Sequence, residues 1–311
     1  MAQLNSTIKN DTTLAPSATS MDRYFINSIS AIVSFFGVLS NLAVVIIICR
    51  YPQLRQNCKY LQAALAAADG ISCFGQVINT TGTLVGAAHV RWLCLILSTP
   101  NASGIMFSTY LTMCIAFDRC YAVISPIRYW HMRKARLRLA CITIGSIVIG
   151  SCIISTYLDV DLYDYPNECF AANSRSRRMS SMINYFNVVA GCATFISYII
   201  TITVMNNKIN QLKSLHGQQH LDLFSKQVEA TTSISYVIAC SLVLFILPST
   251  TILILIGVGV SPNVIKNMRP YVGLTSSFHS SINCLFYVWK EPKMRLLMKK
   301  SFCCDRVEPA P

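Results

Sequence analysis

Charged side chains are scarce in this sequence. Only 13% of its 311 residues are charged and 53% are hydrophobic, whereas soluble proteins carry about 25% charged residues. The sequence also contains long runs without any charge, and a helix that crosses a bilayer needs roughly 20 mostly apolar residues. The composition therefore argues against an ordinary soluble protein and predicts an integral membrane protein.

Three further features are missing. Residues 1–22 are polar and contain no apolar core of the length that a signal peptide needs, so we expect the first apolar run to act as its own insertion signal. The sequence shows no internal repeat and no linker, which predicts one domain. It also shows no metal-ligand set, activated nucleophile or carboxylate cluster, so we expect no enzymatic activity and no required cofactor.

Seven apolar runs are long enough to cross a membrane as helices. They lie at residues 25–49, 60–88, 92–117, 139–158, 179–207, 230–265 and 270–289. Runs of this length favour helices over barrel strands, which alternate over about 10 residues. The sixth run exceeds one span, and Gly257, Gly259 and Pro262 predict where its helix ends. We predict an all-α bundle of seven transmembrane helices.

The bundle is expected to occupy residues 25–289, between an outer tail at 1–24 and an inner segment at 290–311. Placing the N-terminus outside puts 18 of the 26 Lys and Arg residues on the cytoplasmic side, as the positive-inside rule requires. The sequons at Asn5 and Asn10 then lie outside the cell, where glycosylation is expected. We predict a multi-pass plasma-membrane protein with its C-terminus in the cytoplasm.

This topology also accounts for the net charge and the cysteines. Most of the net charge of +13 comes from the basic residues of the cytoplasmic side. These residues are attracted to anionic lipid, so the charge does not indicate nucleic-acid binding. Of the 14 cysteines, only Cys94 and Cys169 have a good claim to the oxidising outer face. We expect these two to form a disulfide.

Short motifs occur at defined positions along the runs. Cys94 begins the third run, Asp118-Arg119-Cys120-Tyr121 ends it, and Pro126 follows. Cys94 and Arg119 are 25 residues apart, about 37 Å along a helix, which crosses a hydrocarbon core of roughly 30 Å. The other runs contain Ser40-Asn41, Leu65-Ala66-Ala67-Ala68-Asp69, Pro248 and Asn283-Cys284-Leu285-Phe286-Tyr287.

In order and spacing these motifs resemble those of rhodopsin-like (class A) G-protein-coupled receptors. The stretches at 54–60, 118–129 and 283–295 are similar to nematode serpentine chemoreceptors, particularly class SX. The resemblance implies a chemosensory receptor for an environmental or small endogenous ligand that signals to a heterotrimeric G protein. The sequence departs from the wider family at Cys120 and Cys284, which replace Tyr and Pro, and at Ile246, which replaces Trp.

The resemblance implies a switch at the inner end of the third helix. Arg119 would pair with Asp118 in the inactive receptor and be released to the G protein on activation. Glu229 is a candidate cross-helix partner, and Tyr287 belongs to the same coupling set. The G protein is expected to dock around Arg119, Ile124, Pro126 and Lys226. The alternative is an arginine that only extends to lipid head groups.

Asp69 is the only acidic residue within an apolar run, and an intramembrane acid needs a partner or a hydrated cavity. The resemblance places Asn41, Ser108, Ser280 and Asn283 around it. It also implies an allosteric sodium ion at Asp69, Ser108 and Asn283, since a hard cation favours oxygen ligands. The alternative is a dry network of hydrogen bonds between helices.

The ligand pocket is less well specified by the sequence. Pro248 is expected to kink the sixth helix because it has no N–H to donate. The candidate ligand-binding residues are Asn101, Ser249, Thr250, Tyr271 and Ser277. Bonding within its own helix is the alternative for each side chain. The acidic residues between 159 and 168 suit a basic ligand, although a solvated loop explains them equally well.

The inner segment combines apolar and basic residues between 290 and 300, which predicts an amphipathic eighth helix on the inner leaflet. Cys303 and Cys304 follow it and are candidates for palmitoylation, with free thiols as the alternative.

A peptide-type receptor is the main alternative. A light sensor needs a lysine for retinal in the seventh run, and residues 270–289 contain none. A transporter or ligand-gated channel is disfavoured by the basic-residue count and by the lack of repeats.

Overall fold

The computed structural model describes residues 18–51, 59–85, 91–131, 134–159, 175–215, 236, 238–290 and 292–302. Within these ranges the chain is helical and contains no strand. We label the helices α1 Ala18–Arg50, α2 Lys59–Val85, α3 Arg91–Ile124, α4 Pro126–His131, α5 Lys134–Leu158, α6 Arg177–Leu215, α7 Ile238–Gly257, α8 Pro262–Lys290 and α9 Pro292–Phe302.

The seven predicted spans correspond to α1, α2, α3, α5, α6, α7 and α8. Five of these, all except α3 and α8, are long and apolar enough on their own to cross a membrane. Helix α3 packs against α2, α5 and α6, so its buried face can carry polar residues such as Ser98, Thr109 and Thr112. Shielding by neighbours explains why a central helix is less apolar than those that face lipid.

Several helices extend beyond the predicted apolar runs. Helix α1 begins at Ala18 rather than residue 25, and α8 begins at Pro262 rather than residue 270. In both cases a polar turn continues the helix beyond the apolar run, because charge ends a hydrophobic run without breaking backbone hydrogen bonds. The predicted boundary between residues 24 and 25 therefore falls inside α1.

The predicted end of the sixth helix is confirmed. Helix α7 ends at Gly257, and Gly259 follows with a φ of 79°, a left-handed conformation that glycine adopts without a Cβ clash. The N–H of Val260 donates to the carbonyl of Leu255 at 3.0 Å. A new helix then starts at Pro262, where proline's missing N–H costs nothing.

Pro248 interrupts the regular hydrogen bonding of α7. Residues Leu242–Ile246 form a π-helical turn, in which the N–H of Leu247 donates to the carbonyl of Leu242. Such turns are rare and occur where a helix must absorb an irregularity, and proline is one cause. The helix is thus locally altered just before Pro248, at the place where the sequence predicts a kink.

Helix α9 is the predicted eighth helix. Met294 is buried in a cluster with Val44, Ile47 and Ile48 of α1, while Leu296 is 68% exposed. The hydroxyls of Tyr51 and Ser301 are 3.0 Å apart and join the two helices near their C-terminal ends. One face of α9 therefore packs on the bundle and the opposite face is left for the membrane surface.

Two glycines bring α2 and α3 together. A Cβ at Gly75 would overlap the backbone of Asn101, and a Cβ at Gly104 would overlap the backbone of Ser72. Small residues allow membrane helices to approach closely. This approach holds α2 and α3 at the separation that lets Asp69 reach across to α3.

We therefore expect Gly104→Ala to lower the stability of the protein. The added methyl group has no space, and overpacking typically costs about 1–3 kcal/mol. Thermal unfolding in detergent would measure the effect. Gly82→Ala is the matched control, because Gly82 lies in α2 with open space around its Cβ position. This substitution should leave the stability unchanged or raise it slightly. Equal effects of the two substitutions would contradict the role of the close approach.

Candidate functional site

The five residues predicted to surround an intramembrane pocket lie together at the centre of the bundle. Asp69 on α2 is fully buried, and Ser108 on α3 donates a hydrogen bond to its Oδ1 at 2.6 Å. The Nδ2 of Asn283 on α8 donates to Oδ2 at 3.0 Å. Ser280 also hydrogen-bonds the carboxyl group. The carboxyl group therefore joins three helices.

Asn41 extends this cluster to α1. Its Nδ2 donates to the carbonyl of Ser280 at 3.0 Å and to that of Gly37 at 2.9 Å. The amide ties α1 to α8 beside Asp69. We call Asn41, Asp69, Ser108, Ser280 and Asn283 the central cluster.

The central cluster has unused oxygen acceptors. Within the described part of the chain, the Oδ1 atoms of Asn41 and Asn283 are buried and receive no hydrogen bond. An unsatisfied buried acceptor is costly, and either a water or a cation would satisfy it. Because carboxylate, amide and hydroxyl oxygens are the ligands that a hard cation prefers, the cluster fits a hydrated sodium ion.

His279 is a member of this region that the sequence interpretation missed. Its ring is buried, and its Nε2 lies 2.7 Å from the hydroxyl of Ser241 on α7 and 3.4 Å from the Nδ2 of Asn283. The ring also stacks on Phe245, with centroids 5.5 Å apart. Two signals could have found it: an ionisable residue inside an apolar run, and its position one turn before Asn283 on the same helix face.

A small cavity adjoins His279. Its volume is about 20 Å³, and its lining includes Thr109, Thr112, Ser241 and Ile246. This volume suffices for one water. His279 and this cavity connect the central cluster to the π-helical turn of α7, the segment that precedes Pro248.

A second polar group lies at the C-terminal end of α3, the end predicted to face the cytoplasm. The guanidinium of Arg119 is 4.0 Å from the carboxylate of Asp118, and both side chains are mostly buried. The hydroxyl of Tyr129 on α4 contacts both oxygens of Asp118, at 3.0 and 3.2 Å. Lys208 near the C-terminal end of α6 donates to the carbonyl of Val123. We call Asp118, Arg119 and Tyr129 the inner cluster.

The other residues predicted for the inner face are only partly described. Ile124 ends α3 and is 49% exposed, and Pro126 begins α4. Tyr287 lies in α8, one turn beyond Asn283.

Cys94 is buried and disulfide-bonded. Seven predicted residues lie outside the described ranges, namely Asn5, Asn10, Cys169, Lys226, Glu229, Cys303 and Cys304.

The five candidate ligand-binding residues are not brought together. Asn101 is buried and donates to the carbonyl of Ser72 on α2 at 3.1 Å. Thr250 donates to Ile246, and Ser277 to Gly273, each one turn back in the same helix. Ser249 is buried, and Tyr271 is 53% exposed. The prediction of one shared pocket is therefore not supported, because hydroxyls in an apolar helix satisfy themselves on its own carbonyls.

Comparison with known proteins finds one matching family model and several similar receptors. Residues 34–302 match the sequence model of a family described as the serpentine type 7TM GPCR chemoreceptor Srsx. A gonadotropin-releasing hormone receptor of Octopus vulgaris is 32% identical over 145 residues, which are 43% of this chain and 33% of that receptor. An isotocin receptor of Catostomus commersonii is 29% identical over 35% of this chain and 28% of its own.

A human C-X-C chemokine receptor type 5 is 26% identical over 133 residues, covering 42% of this chain and 36% of the receptor. The matched region thus spans about a third of the length of these curated relatives. The family model, by contrast, covers the second half of α1 and all of the helices from α2 to α9.

Proposed function

The chain belongs to the Srsx family of serpentine seven-transmembrane GPCR chemoreceptors, and from this premise we propose that it binds a small extracellular ligand and activates a heterotrimeric G protein. The observation that best supports G-protein activation is the inner cluster, where Arg119 is held beside Asp118 at the inner end of α3. We further propose a plasma-membrane location with the N-terminus outside, which the excess of basic residues on the opposite side supports.

In the proposed mechanism, the inner cluster stabilises the inactive receptor. Asp118 interacts with Arg119 and accepts from Tyr129, so both neighbours hold the carboxylate in place. Release of Arg119 would free a cation with five N–H donors for the G protein. A ligand favours the active conformer only by the difference between its affinities for the two conformers.

The central cluster is proposed to couple the two ends of the bundle. It joins α1, α2, α3 and α8, and His279 extends the contacts to α7. A sodium ion held by Asp69, Ser108 and Asn283 would supply a positive charge that stabilises one arrangement of these helices. Rearrangement of this cluster would then change how α7 packs above the inner cluster.

Asp118→Asn tests the proposal without a known ligand. Removing the negative charge weakens the hold on Arg119, and loss of about 1 kcal/mol of preference for the inactive state raises the active population about fivefold. We expect a rise of that size in ligand-independent nucleotide exchange, measured on a panel of purified G proteins with membranes that carry the receptor.

Two further variants make this test specific. Tyr129→Phe removes the hydroxyl from the same carboxylate and should raise exchange to a smaller extent. Asp159→Asn removes an exposed carboxylate at the outer end of α5 and should leave exchange unchanged. If Asp118→Asn and Asp159→Asn gave the same exchange on every G protein, the proposed switch would be wrong.

A peptide-type receptor is the second candidate. It is supported by relatives named as receptors for a hormone, for isotocin and for a chemokine. The nucleotide-exchange experiment does not depend on the ligand, so it tests G-protein activation for both candidates.

A further inference from the structure

Two cysteines of neighbouring helices meet where α3 packs against α5. The thiol of Cys114 on α3 hydrogen-bonds that of Cys141 on α5, and both are half-buried free cysteines. The hydroxyl of Tyr110, one turn before Cys114 on α3, also hydrogen-bonds the sulfur of Cys114. We call Tyr110, Cys114 and Cys141 the thiol cluster.

Close packing of the two helices explains why the sulfurs meet. A Cβ at Gly145, one turn beyond Cys141, would lie 2.5 Å from the ring of Tyr110, so α5 approaches α3 closely at this level. Tyr110 thus faces Gly145, and Cys114 faces Cys141. Residues four apart lie on one face of a helix, so two antiparallel helices pair in this order. The contact between the sulfurs therefore follows from how the helix faces pack.

We propose that Cys114 and Cys141 form a redox-modification site, at which hydrogen peroxide converts the two thiols into a disulfide between α3 and α5. The Cβ atoms of a disulfide are about 3.5–4.5 Å apart, and thiols that hydrogen-bond each other lie close to this arrangement. The product carries no charge, so it suits an apolar site in a membrane. This inference does not depend on the proposed function.

The oxidation takes place in two steps. The sulfur of Cys114 attacks one peroxide oxygen; an S–O bond forms, the O–O bond breaks, and the thiol proton leaves in a water molecule. The sulfur of Cys141 then attacks the resulting sulfenic acid; the S–S bond forms, the S–O bond breaks, and the second thiol proton leaves in a second water. Two electrons pass from the sulfurs to the peroxide. Tyr110 is placed to donate to the Cys114 sulfur as negative charge develops, which makes Cys114 the attacking residue.

The apolar surroundings determine the rate and the persistence of the modification. Hydrogen peroxide is small and uncharged and can enter the site, whereas a charged reductant such as glutathione is excluded by the cost of losing its hydration. Attack requires a thiolate, which is costly to form in such surroundings. We therefore expect oxidation over minutes to hours, and reversal by an uncharged reductant such as dithiothreitol.

Peptide mapping of the full-length receptor in lipid nanodiscs tests the site. The protein is treated with hydrogen peroxide, its remaining thiols are blocked with N-ethylmaleimide in denaturant, and it is digested without reduction. We expect one peptide pair joined through Cys114 and Cys141, lighter by two hydrogens than the two reduced peptides together. Dithiothreitol should separate the pair.

Four variants make the experiment specific. Cys114→Ser and Cys141→Ser should each abolish the joined pair. Tyr110→Phe keeps the ring against α5 but removes the hydroxyl, so it should slow joining several-fold without preventing it. Cys152→Ser removes another half-buried cysteine of α5 and should leave both the rate and the yield unchanged.

The unfolding temperature gives a second readout. Cys114 and Cys141 are 27 residues apart, and closing a loop of this size restricts the unfolded chain. We expect peroxide to raise the unfolding temperature of the wild-type receptor by about 5 °C or more. Cys114→Ser should show no such rise.

Three results would overturn the proposed site. The first is that no joined pair forms after hours in excess peroxide, including the case in which Cys114 is oxidised to a sulfinic acid without joining Cys141. The second is that the pair forms only after the protein has been denatured. The third is that joining leaves the unfolding temperature unchanged or lowers it, because a disulfide that fits the packed helices should not disturb them.

Discussion

Replacing Arg119 by alanine should lower receptor-stimulated nucleotide exchange at least about thirtyfold. Truncating one partner of a buried, hydrogen-bonded charge pair costs about 2–5 kcal/mol at a protein interface, and a cost of 2 kcal/mol corresponds to a factor of about 30. In the resting structure Arg119 is mostly buried beside Asp118. It becomes available to a partner only after the inner cluster opens.

The measurement is best made in the Asp118→Asn background, where exchange is expected to be raised without a ligand. Adding Arg119→Ala should then abolish the rise. Arg136→Ala removes an exposed arginine near the inner end of α5 and should change exchange less than about twofold, as expected for an arginine that does not enter the partner's binding site. Cell-surface amounts must be matched. A double variant that still stimulates exchange at the raised level would show that Arg119 only extends to lipid.

Asp69→Ala should produce the largest loss of stability. It removes the acceptor for Ser108, Ser280 and Asn283 at once, and each buried donor left unsatisfied costs about 1–3 kcal/mol. Part of that cost is recovered because a buried carboxyl group is itself expensive in a membrane. We expect a net loss of about 2–4 kcal/mol, measured as a lower unfolding temperature in detergent.

Asp69→Asn distinguishes the network from the ion. It keeps an acceptor for one donor, so we expect a smaller loss of stability than with alanine. Sodium chloride should raise the unfolding temperature of the wild-type receptor relative to choline chloride, and this difference should vanish in Asp69→Asn. No sodium effect in the wild-type protein would favour the dry network.

A matched substitution outside the cluster sets the scale. Ser151 is exposed on α5 and donates only to the carbonyl of Ile147 within its own helix, as far as the described residues show. Ser151→Ala should change the unfolding temperature little. If it lowered stability as much as Asp69→Ala, the central cluster would have no special structural role.

Much of the site was predictable because helical periodicity is fixed. Asp118 and Arg119 are neighbours in sequence, and Asn283 and Ser280 lie on one face of one helix. The expectation that Asp69 needs polar partners follows from the cost of an acid in lipid. The partners themselves came from resemblance to a family, and the structure places all four around the carboxylate.

Other parts were not predictable from the order of residues. The role of Tyr129 depends on α4 folding back beside α3. His279 is marked in the sequence as an ionisable residue inside an apolar run, but only its distance from Ser241 shows that it bridges to α7. The surroundings of the candidate ligand residues were unpredictable for a related reason: Ser277, for example, lies 3.0 Å from Ser30 of α1, a contact between helices that neither helix sequence indicates.

The sequence by itself determined the class of protein, since long uncharged runs leave the chain no stable arrangement other than membrane-spanning helices. It also determined where α7 ends, because Gly259 adopts a left-handed conformation that other residues resist. Only the tertiary structure decided which polar groups meet. Gly75 and Gly104 bring α2 and α3 together, and Cys114 of α3 meets Cys141 of α5. Contacts of this kind depend on the distance and rotation between helices, which packing sets and which no single helix encodes.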